Sequence, residues 1–276
     1  MNTLRRHWPE YAMEAALLGG FMVSACGSAA LAYHPGSPVA QAVNDGPARR
    51  VLMGLAMGLT AIALIYSPWG RRSGAHMNPA VTLTFLRLGK SAPSDAAFYI
   101  ASQFVGGAVG VLTMDAILGP VIANPNVNYV VTAPGRWGVA AAFAGEAAIA
   151  FGMMITVLTA SNHKALANYT GLFAGALVAL FITFEAPVSG MSMNPARTFA
   201  SAVVAGDWTG FWVYVAAPVL GMLAAAECYV FARGAHRVRC AKLHHRNNHR
   251  CIFCEYQHPE LAVASAHVRR APKERS

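Results

Sequence analysis

Long apolar runs separated by short polar connections dominate the pattern along this chain. A helix that crosses a bilayer needs about 20 apolar residues to span a core of about 30 Å. Two shorter apolar stretches follow Asn78 and Asn194, and their length is typical of re-entrant segments. The pattern predicts an all-α membrane protein with two half-helices and six spanning helices, at residues 11–33, 51–67, 96–118, 138–160, 168–185 and 210–232.

A ten-residue motif occurs twice, once after the second long run and once after the fifth. Residues 73–82 read SGAHMNPAVT and residues 189–198 read SGMSMNPART, so seven of ten positions are identical. Each half then has three crossings, and an odd number makes the halves opposite in topology, with a functional site where they meet. We expect four segments: a cytoplasmic N-terminus (1–10), a first repeat (11–130), a second repeat (131–235) and a basic Cys/His-rich cytoplasmic tail (236–276).

The centre of the motif is Asn-Pro-Ala, which predicts the start of a helix. Asparagine is a strong N-cap and proline is favoured at the first helical position. Two half-helix N-termini that face each other place a positive potential at the midplane, which opposes cations, including hydronium. The asparagine amides would donate to a passing oxygen and interrupt a proton wire. The pore residues predicted in this way are Asn78, Pro79, Ala80, Asn194, Pro195 and Ala196.

Four ionisable residues lie in apolar surroundings. Glu14 and Glu146 lie within the first helix of each half, where a carboxylate serves either ion transport or the loop backbone. We favour the structural interpretation, because irregular backbone at membrane depth must be satisfied by protein groups. Arg197 replaces Val81 of the first copy, and we favour a pore-lining cation over an interfacial arginine. His76 either supports its loop or gates by protonation.

The charge distribution indicates orientation. Only 12% of the residues are charged and 55% are hydrophobic, yet the net charge is +9, and ten of the 21 Lys and Arg lie at or after Arg233. With both termini inside, 17 basic residues face the cytoplasm and three face outward, as the positive-inside rule requires. We expect a multi-pass protein of the plasma (inner) membrane that contacts lipid. No nucleic-acid-binding motif accompanies the basic residues.

These features resemble the aquaporin, or major intrinsic protein, family over residues 10–232. The resemblance implies a homotetramer with one pore per subunit, passive flow of water or a small neutral solute, and neither cofactor nor catalytic turnover. It is carried by the two motifs, Glu14, Glu146, YIASQFVGGAVG (99–110) and AAPVLGMLAA (216–225).

The same resemblance implies a second constriction near the outer mouth, formed by Met57, Ile182, Met191 and Arg197. The register at Ile182 leaves Thr183 as an alternative. Strict water channels of the family carry Phe, His and a small or polar residue at the first three places, whereas this chain has three apolar ones. Water is the first expectation, and glycerol, ammonia or hydrogen peroxide are the alternatives. Thr198, where glycerol facilitators carry Asp, argues against glycerol.

The tail offers ligands for a metal ion. Cys251-x-x-Cys254 is a zinc-type pair, and His249 and His258 are the candidate partners, with Cys240, His244 and His245 nearby. The alternative is a basic, partly disordered tail next to the membrane.

Two other classes of function compete with a channel. An intramembrane enzyme needs a nucleophile paired with a base, and the sequence offers no convincing pair. A non-conducting scaffold would use the tail for partners, but the retained pore residues argue against it.

Overall fold

The computed structural model describes residues 2–245 and 249–255, and the regular secondary structure of this part is helical. Its main helices are α1 (Asn2–Tyr33), α2 (Gly46–Tyr66), α3 (Pro79–Arg87), α4 (Pro93–Leu118), α5 (Gly138–Asn162), α6 (Thr170–Phe184), α7 (Pro195–Ala205) and α8 (Phe211–Arg233). Short helices occupy Pro38–Ala42, Pro68–Ser73, Pro120–Ala123, Ala186–Ser189 and Ile252–Glu255, and 3-10 turns occupy Asn128–Val130, Ala167–Tyr169 and Ala235–Arg237. Six of the described helices are long and apolar enough to cross a membrane, which confirms the predicted spans.

The half-helices α3 and α7 begin where their sequences predict. The Asn78 side chain accepts a hydrogen bond from Ala80 N at 2.8 Å, and the next residue is the first-turn proline. In α7, the Asn194 side chain accepts from Ala196 N and Arg197 N at 3.1 and 3.2 Å. Helices α1–α4 and α5–α8 therefore form two inverted repeats, each with one half-helix third in order.

Glycines allow the long helices to approach closely. A Cβ added to Gly106 of α4 would lie 2.1 Å from the Ala15 carbonyl oxygen of α1, and one on Gly110 would lie 2.4 Å from that of Gly19. Helices α2 and α6 show the same contact, because a Cβ on Gly58 would lie 2.6 Å from the Gly175 carbonyl oxygen. Close backbone approach increases the dispersion energy that holds helices together in lipid.

Helix α1 begins at Asn2, well before the apolar run that predicted it. Two polar residues of its first turns are buried with partners: Glu10 Oε1 accepts from Arg72 Nε at 3.0 Å, and His7 Nδ1 lies 2.8 Å from Asp95 Oδ1. Both acids are almost fully buried. These contacts therefore pack the start of α1 against the protein.

The two ends of the bundle are closed by different segments. At one end, here called the tail face, residues 235–245 and 249–255 pack beside the start of α1 and the approach to α3, with Arg250 Nη1 3.3 Å from the Arg6 carbonyl oxygen. At the other end, the far face, the α4–α5 connection meets the approach to α7, where Gly135 N donates to the Val188 carbonyl oxygen at 2.9 Å.

Candidate functional site

The two half-helix loops meet and hold each other. Asn78 Nδ2 donates to the Met193 carbonyl oxygen, and Asn194 Nδ2 donates to the Met77 carbonyl oxygen, both at 2.7 Å. Each asparagine oxygen caps its own helix at the same time. An amide nitrogen carries two hydrogens, so among the described residues each side chain keeps a second N–H. Both asparagines border the central cavity.

The backbone of the two loops repeats as closely as their sequences. Left-handed φ angles occur at three matched places in each loop: Gly74 (104°), Ala75 (56°) and Met77 (48°), and Gly190 (84°), Met191 (52°) and Met193 (54°). A non-glycine residue in this region costs about 1–3 kcal/mol, so the surrounding structure must enforce it.

Two buried carboxylates supply that enforcement. Each accepts hydrogen bonds from the serine that opens the motif and from two consecutive backbone N–H groups of the loop. The donors to Glu14 are Ser73 Oγ (2.7 Å), His76 N (3.1 Å), Met77 N (2.7 Å) and Gln103 Nε2 (3.0 Å). The donors to Glu146 are Ser189 Oγ (2.8 Å), Ser192 N (2.6 Å) and Met193 N (2.6 Å). This geometry corresponds to the structural interpretation of the two glutamates.

A cavity of about 490 Å³ runs past the crossed asparagines. Its wall is mostly apolar, with methionine, valine and isoleucine side chains from α2, α5 and α6. Ile182 is part of this wall and Thr183 is not; the Thr183 hydroxyl donates to the Ala179 carbonyl oxygen at 2.8 Å. The predicted constriction residues all border the cavity: Met57, Ile182, Met191 and Arg197.

Arg197 places an unsatisfied donor beside this cavity. Its Nη1 atom is buried and has no hydrogen-bond partner among the described residues. Burial of a donor without a partner is costly. Arg50 also borders the cavity, with Nε 3.3 Å from the Thr183 carbonyl oxygen. In the sequence, Arg50 is one of the three basic residues expected to face outward, and nothing in its local pattern points to the lumen.

His76 joins the first loop to the tail. Its Nδ1 lies 3.0 Å from Thr82 Oγ1 and its Nε2 lies 2.9 Å from the Ala241 carbonyl oxygen. The imidazole is stacked between Phe85 and Phe253, with ring centroids 5.2 Å away on each side. The ring is therefore fixed on all sides, as its predicted role in loop support requires.

The tail docks directly against this loop. Leu243 N donates to the Gly74 carbonyl oxygen at 3.2 Å, and the Leu243 side chain forms part of the cavity wall. Lys242 is only 1% exposed, and its Nζ donates to the carbonyl oxygens of Arg71 (3.0 Å) and Arg250 (2.8 Å). The described part of the tail thus borders the tail-face end of the lumen.

Four metal-binding side chains cluster in the tail. The ligand atoms of Cys240, His245, Cys251 and Cys254 all lie within 4.8 Å of one another. Hydrogen bonds from Cys240 and Cys254 hold the pKa of Cys251 well below its usual range, and those with Cys251 and Cys254 raise the pKa of His245 to about 10. His249 is exposed and outside this cluster, and His258 lies outside the described residues.

Two half-helices that enter from opposite faces, cross at their capped ends and border a narrow lumen define a membrane channel. The chain matches the family model described as "Major intrinsic protein" over residues 11–229 and belongs to this family, whose aquaporins are channels and not enzymes. The resemblance carried by the two motifs is therefore confirmed.

Relatives and a solved structure agree with this assignment. The chain is 36% identical to Aquaporin NIP2-3 of Zea mays over 189 residues, 68% of this chain and 60% of the relative. It is 32% identical to Aquaporin NIP1-2 of Arabidopsis thaliana over 226 residues, 79% and 73% of the two chains. This chain therefore spans about 60% of the length of the first of these relatives. The X-ray structure of the aquaglyceroporin from Plasmodium falciparum shares the fold, with a TM-score of 0.64, 20% identity, and coverage of 81% and 95%.

Proposed function

We propose that the chain is a passive channel that conducts water and excludes protons and ions. The observation that carries this proposal is the crossing of Asn78 and Asn194, whose second N–H groups remain for a solute beside the cavity. A water that accepts from both amides has its lone pairs engaged. It cannot accept a proton from the next water, so the proton wire is broken at this point.

Fixed positive charge would exclude cations at two levels of the lumen. Each half-helix N-terminus carries about half a positive charge, and these ends meet at the crossing. Arg197 adds a full charge next to the predicted constriction. Because a cation would also have to shed its hydration shell against apolar walls, both electrostatics and desolvation oppose its passage.

A channel for another small neutral solute is the second candidate, and the wall of the constriction favours it. Met57, Ile182 and Met191 offer a passing molecule no conventional hydrogen-bond partner, which leaves Arg197 as the principal donor at this level. A constriction with this lining replaces few of the hydrogen bonds that a water molecule loses when it enters the pore. Glycerol, ammonia and hydrogen peroxide are the test solutes.

Proteoliposomes test both candidates. Purified protein is reconstituted, and the light-scattering or fluorescence response is followed after gradients of water, glycerol, ammonia and hydrogen peroxide. We expect water flux well above that of empty vesicles, with no proton leak detected by an internal pH dye. Flux of a neutral solute without water flux would replace the first proposal by the second, and no flux of any kind would overturn both.

Arg197→Val tests the constriction. Removal of the cation should raise glycerol flux about tenfold, which corresponds to a barrier lower by about 1.4 kcal/mol. The matched control is Arg136→Val, because Arg136 is exposed and its guanidinium lies 4.3 Å over the Trp137 ring rather than in the lumen. If Arg197→Val leaves the permeability to every solute unchanged, these four residues do not form the constriction.

We also propose a homotetramer in the plasma membrane with both termini in the cytoplasm. The excess of basic residues in the connections of the tail face supports this orientation. The ion pair between Arg6 and Glu255, at 3.0 Å, is consistent with both termini on one side. Cross-linking in native membranes measures the oligomer, and labelling of an introduced cysteine next to Arg136 from outside intact cells measures the orientation.

A further inference from the structure

The Cys/His cluster of the tail has the spacing of a tetrahedral metal site. Cys240 Sγ lies 3.4 Å from Cys251 Sγ and 3.5 Å from Cys254 Sγ, and Cys254 Sγ lies 3.5 Å from His245 Nε2. Zinc–sulfur bonds of about 2.3 Å in a tetrahedron place neighbouring sulfurs about 3.8 Å apart. A disulfide would instead need about 2.05 Å. The observed distances are close to the first value and far from the second.

We propose that Cys240, His245, Cys251 and Cys254 form a structural zinc site that clamps the tail over the tail-face mouth of the lumen. Three thiolates and one imidazole are soft and borderline donors that select zinc over magnesium or calcium. Four protein ligands leave no open position, which is typical of structural rather than catalytic zinc. The pair in Cys251-x-x-Cys254 spans the short helix Ile252–Glu255, and the other two ligands lie upstream of it.

The order of the residues supports a clamp. The segment between Cys240 and His245 carries the Ala241, Lys242 and Leu243 contacts to the first loop. The segment between Cys251 and Cys254 carries Phe253, which stacks on His76. One ion would therefore tie together both docking segments of the tail.

The surrounding charge also fits the ion. A zinc ion with three thiolates and a neutral imidazole has a net charge of −1. Lys242 lies two residues after Cys240, is 1% exposed, and remains hydrogen-bonded to two carbonyl oxygens. An isolated buried charge is expensive, and this ammonium is already balanced in part by the carboxylate of Glu10. An anionic zinc site would be a second negative partner for it.

Metal content tests the site directly. The full chain is purified in detergent without chelators, and zinc is measured by mass spectrometry against protein concentration. We expect about one zinc per chain, by the ligand count, and its loss in Cys251→Ser and in His245→Ala. Matched controls are Cys228→Ser, an exposed cysteine of α8, and His249→Ala, the neighbouring histidine outside the cluster; both should retain zinc.

Cobalt substitution measures the geometry. A tetrahedral cobalt site with thiolate ligands gives intense visible bands and a sulfur charge-transfer band, which Cys251→Ser should abolish. Absence of zinc from the wild type, a Cys240–Cys251 disulfide detected by mass spectrometry, or the absorption of an iron–sulfur cluster would each overturn the proposal.

Hydrogen exchange tests the clamp. We expect the Leu243 amide, which donates to Gly74, to be protected in the zinc form and to exchange faster after chelation. Protection of residues in α4, such as Gly106, should not change. Equal exchange of Leu243 with and without zinc would contradict the clamp even if zinc is bound.

A consequence for transport rests on the proposed function. Because Leu243 forms part of the cavity wall, release of the tail should raise water flux by about twofold or more through relief of an apolar constriction. Chelation should then raise flux in the wild type but not in Cys251→Ser. Zinc content and amide exchange need no transport, so failure of the channel proposal and failure of the zinc proposal give different results.

Discussion

The two half-helix loops are nearly identical in backbone and differ in what lies behind them. Both contain three matched left-handed residues, and in both the backbone N–H groups donate to a buried glutamate. The loop before α7 is backed by the α4–α5 connection, where Thr132 Oγ1 lies 2.9 Å from Thr198 Oγ1. The loop before α3 is backed by the tail, through His76 and Leu243.

This difference distinguishes the repeated motif from the segments that support each of its two copies. The far-face support lies inside the region that matches the family model, residues 11–229, whereas the tail lies beyond it. One loop therefore depends on a connection between two spanning helices, and the other depends on a segment that follows the last spanning helix. We infer that the tail-face mouth is the easier one to alter without damage to the bundle.

The largest effect should come from the shared glutamates. Glu14→Gln and Glu146→Gln each replace one acceptor oxygen by an N–H₂ group that faces backbone donors. We expect each to lower the free energy of unfolding by about 3 kcal/mol and to abolish solute flux. Thermal unfolding in detergent and proteoliposome flux measure the two effects.

Glu227→Gln is the control for this pair. Glu227 is 2.9 Å from Arg87 and its side chain is 53% exposed. The substitution should therefore lower the free energy of unfolding by at most about 1 kcal/mol. Tolerance of the change at Glu14 but not at Glu146 would mean that the two loops are not held alike.

An intermediate effect should come from the glycines that open the loops. Gly74→Ala and Gly190→Ala both place a Cβ at a left-handed φ, which costs about 1–2 kcal/mol. The new Cβ at Gly74 would also lie 3.0 Å from Phe253 and 3.2 Å from Lys242 Cγ, whereas the nearest atoms at Gly190 are 3.3 Å away in Thr132 and Ala133. Hydrogen exchange of residues 240–245 should therefore increase only in Gly74→Ala, and an equal response in both variants would remove the proposed asymmetry.

The smallest effect should come from the far-face support. Thr132→Val removes one buried hydroxyl, and Thr198 keeps its contact with Ser192. We expect the free energy of unfolding to fall by about 1 kcal/mol and amide hydrogen exchange in the tail to stay unchanged. Thr113→Val, at an exposed residue of α4 whose hydroxyl bonds its own helix, should change thermal unfolding by less. If Thr132→Val also loosens the tail, the two supports are coupled.

Local rules explain which features could be predicted from the sequence. Asn78-Pro79 and Asn194-Pro195 start helices through capping and a fixed φ, which do not depend on distant residues. The loop-support roles predicted for Glu14 and Glu146 rest on the requirement that buried backbone be satisfied, and the glutamine variants described above test them. The roles predicted for the four constriction residues stay predictions, although all four border the cavity.

Features that depend on distant partners could not be predicted in this way. His7 and Glu10 look solvent-exposed in sequence, and only their distant partners Asp95 and Arg72 explain their burial. The partners of the Cys251-x-x-Cys254 pair were ambiguous, because irregular chain between ligands has no period. The structure places Cys240 and His245 beside the pair, whereas sequence proximity pointed to His249.

The crossed bonds of Asn78 and Asn194 have a consequence for how such a protein is made. Each asparagine finds its acceptor in the other repeat, so a chain that has been synthesised only as far as α4 has no filter of its own. The barrier to protons and the route for solute would arise in the same event, when the last re-entrant segment inserts. A growing polypeptide would in this way never leave a half-finished leak in its host membrane.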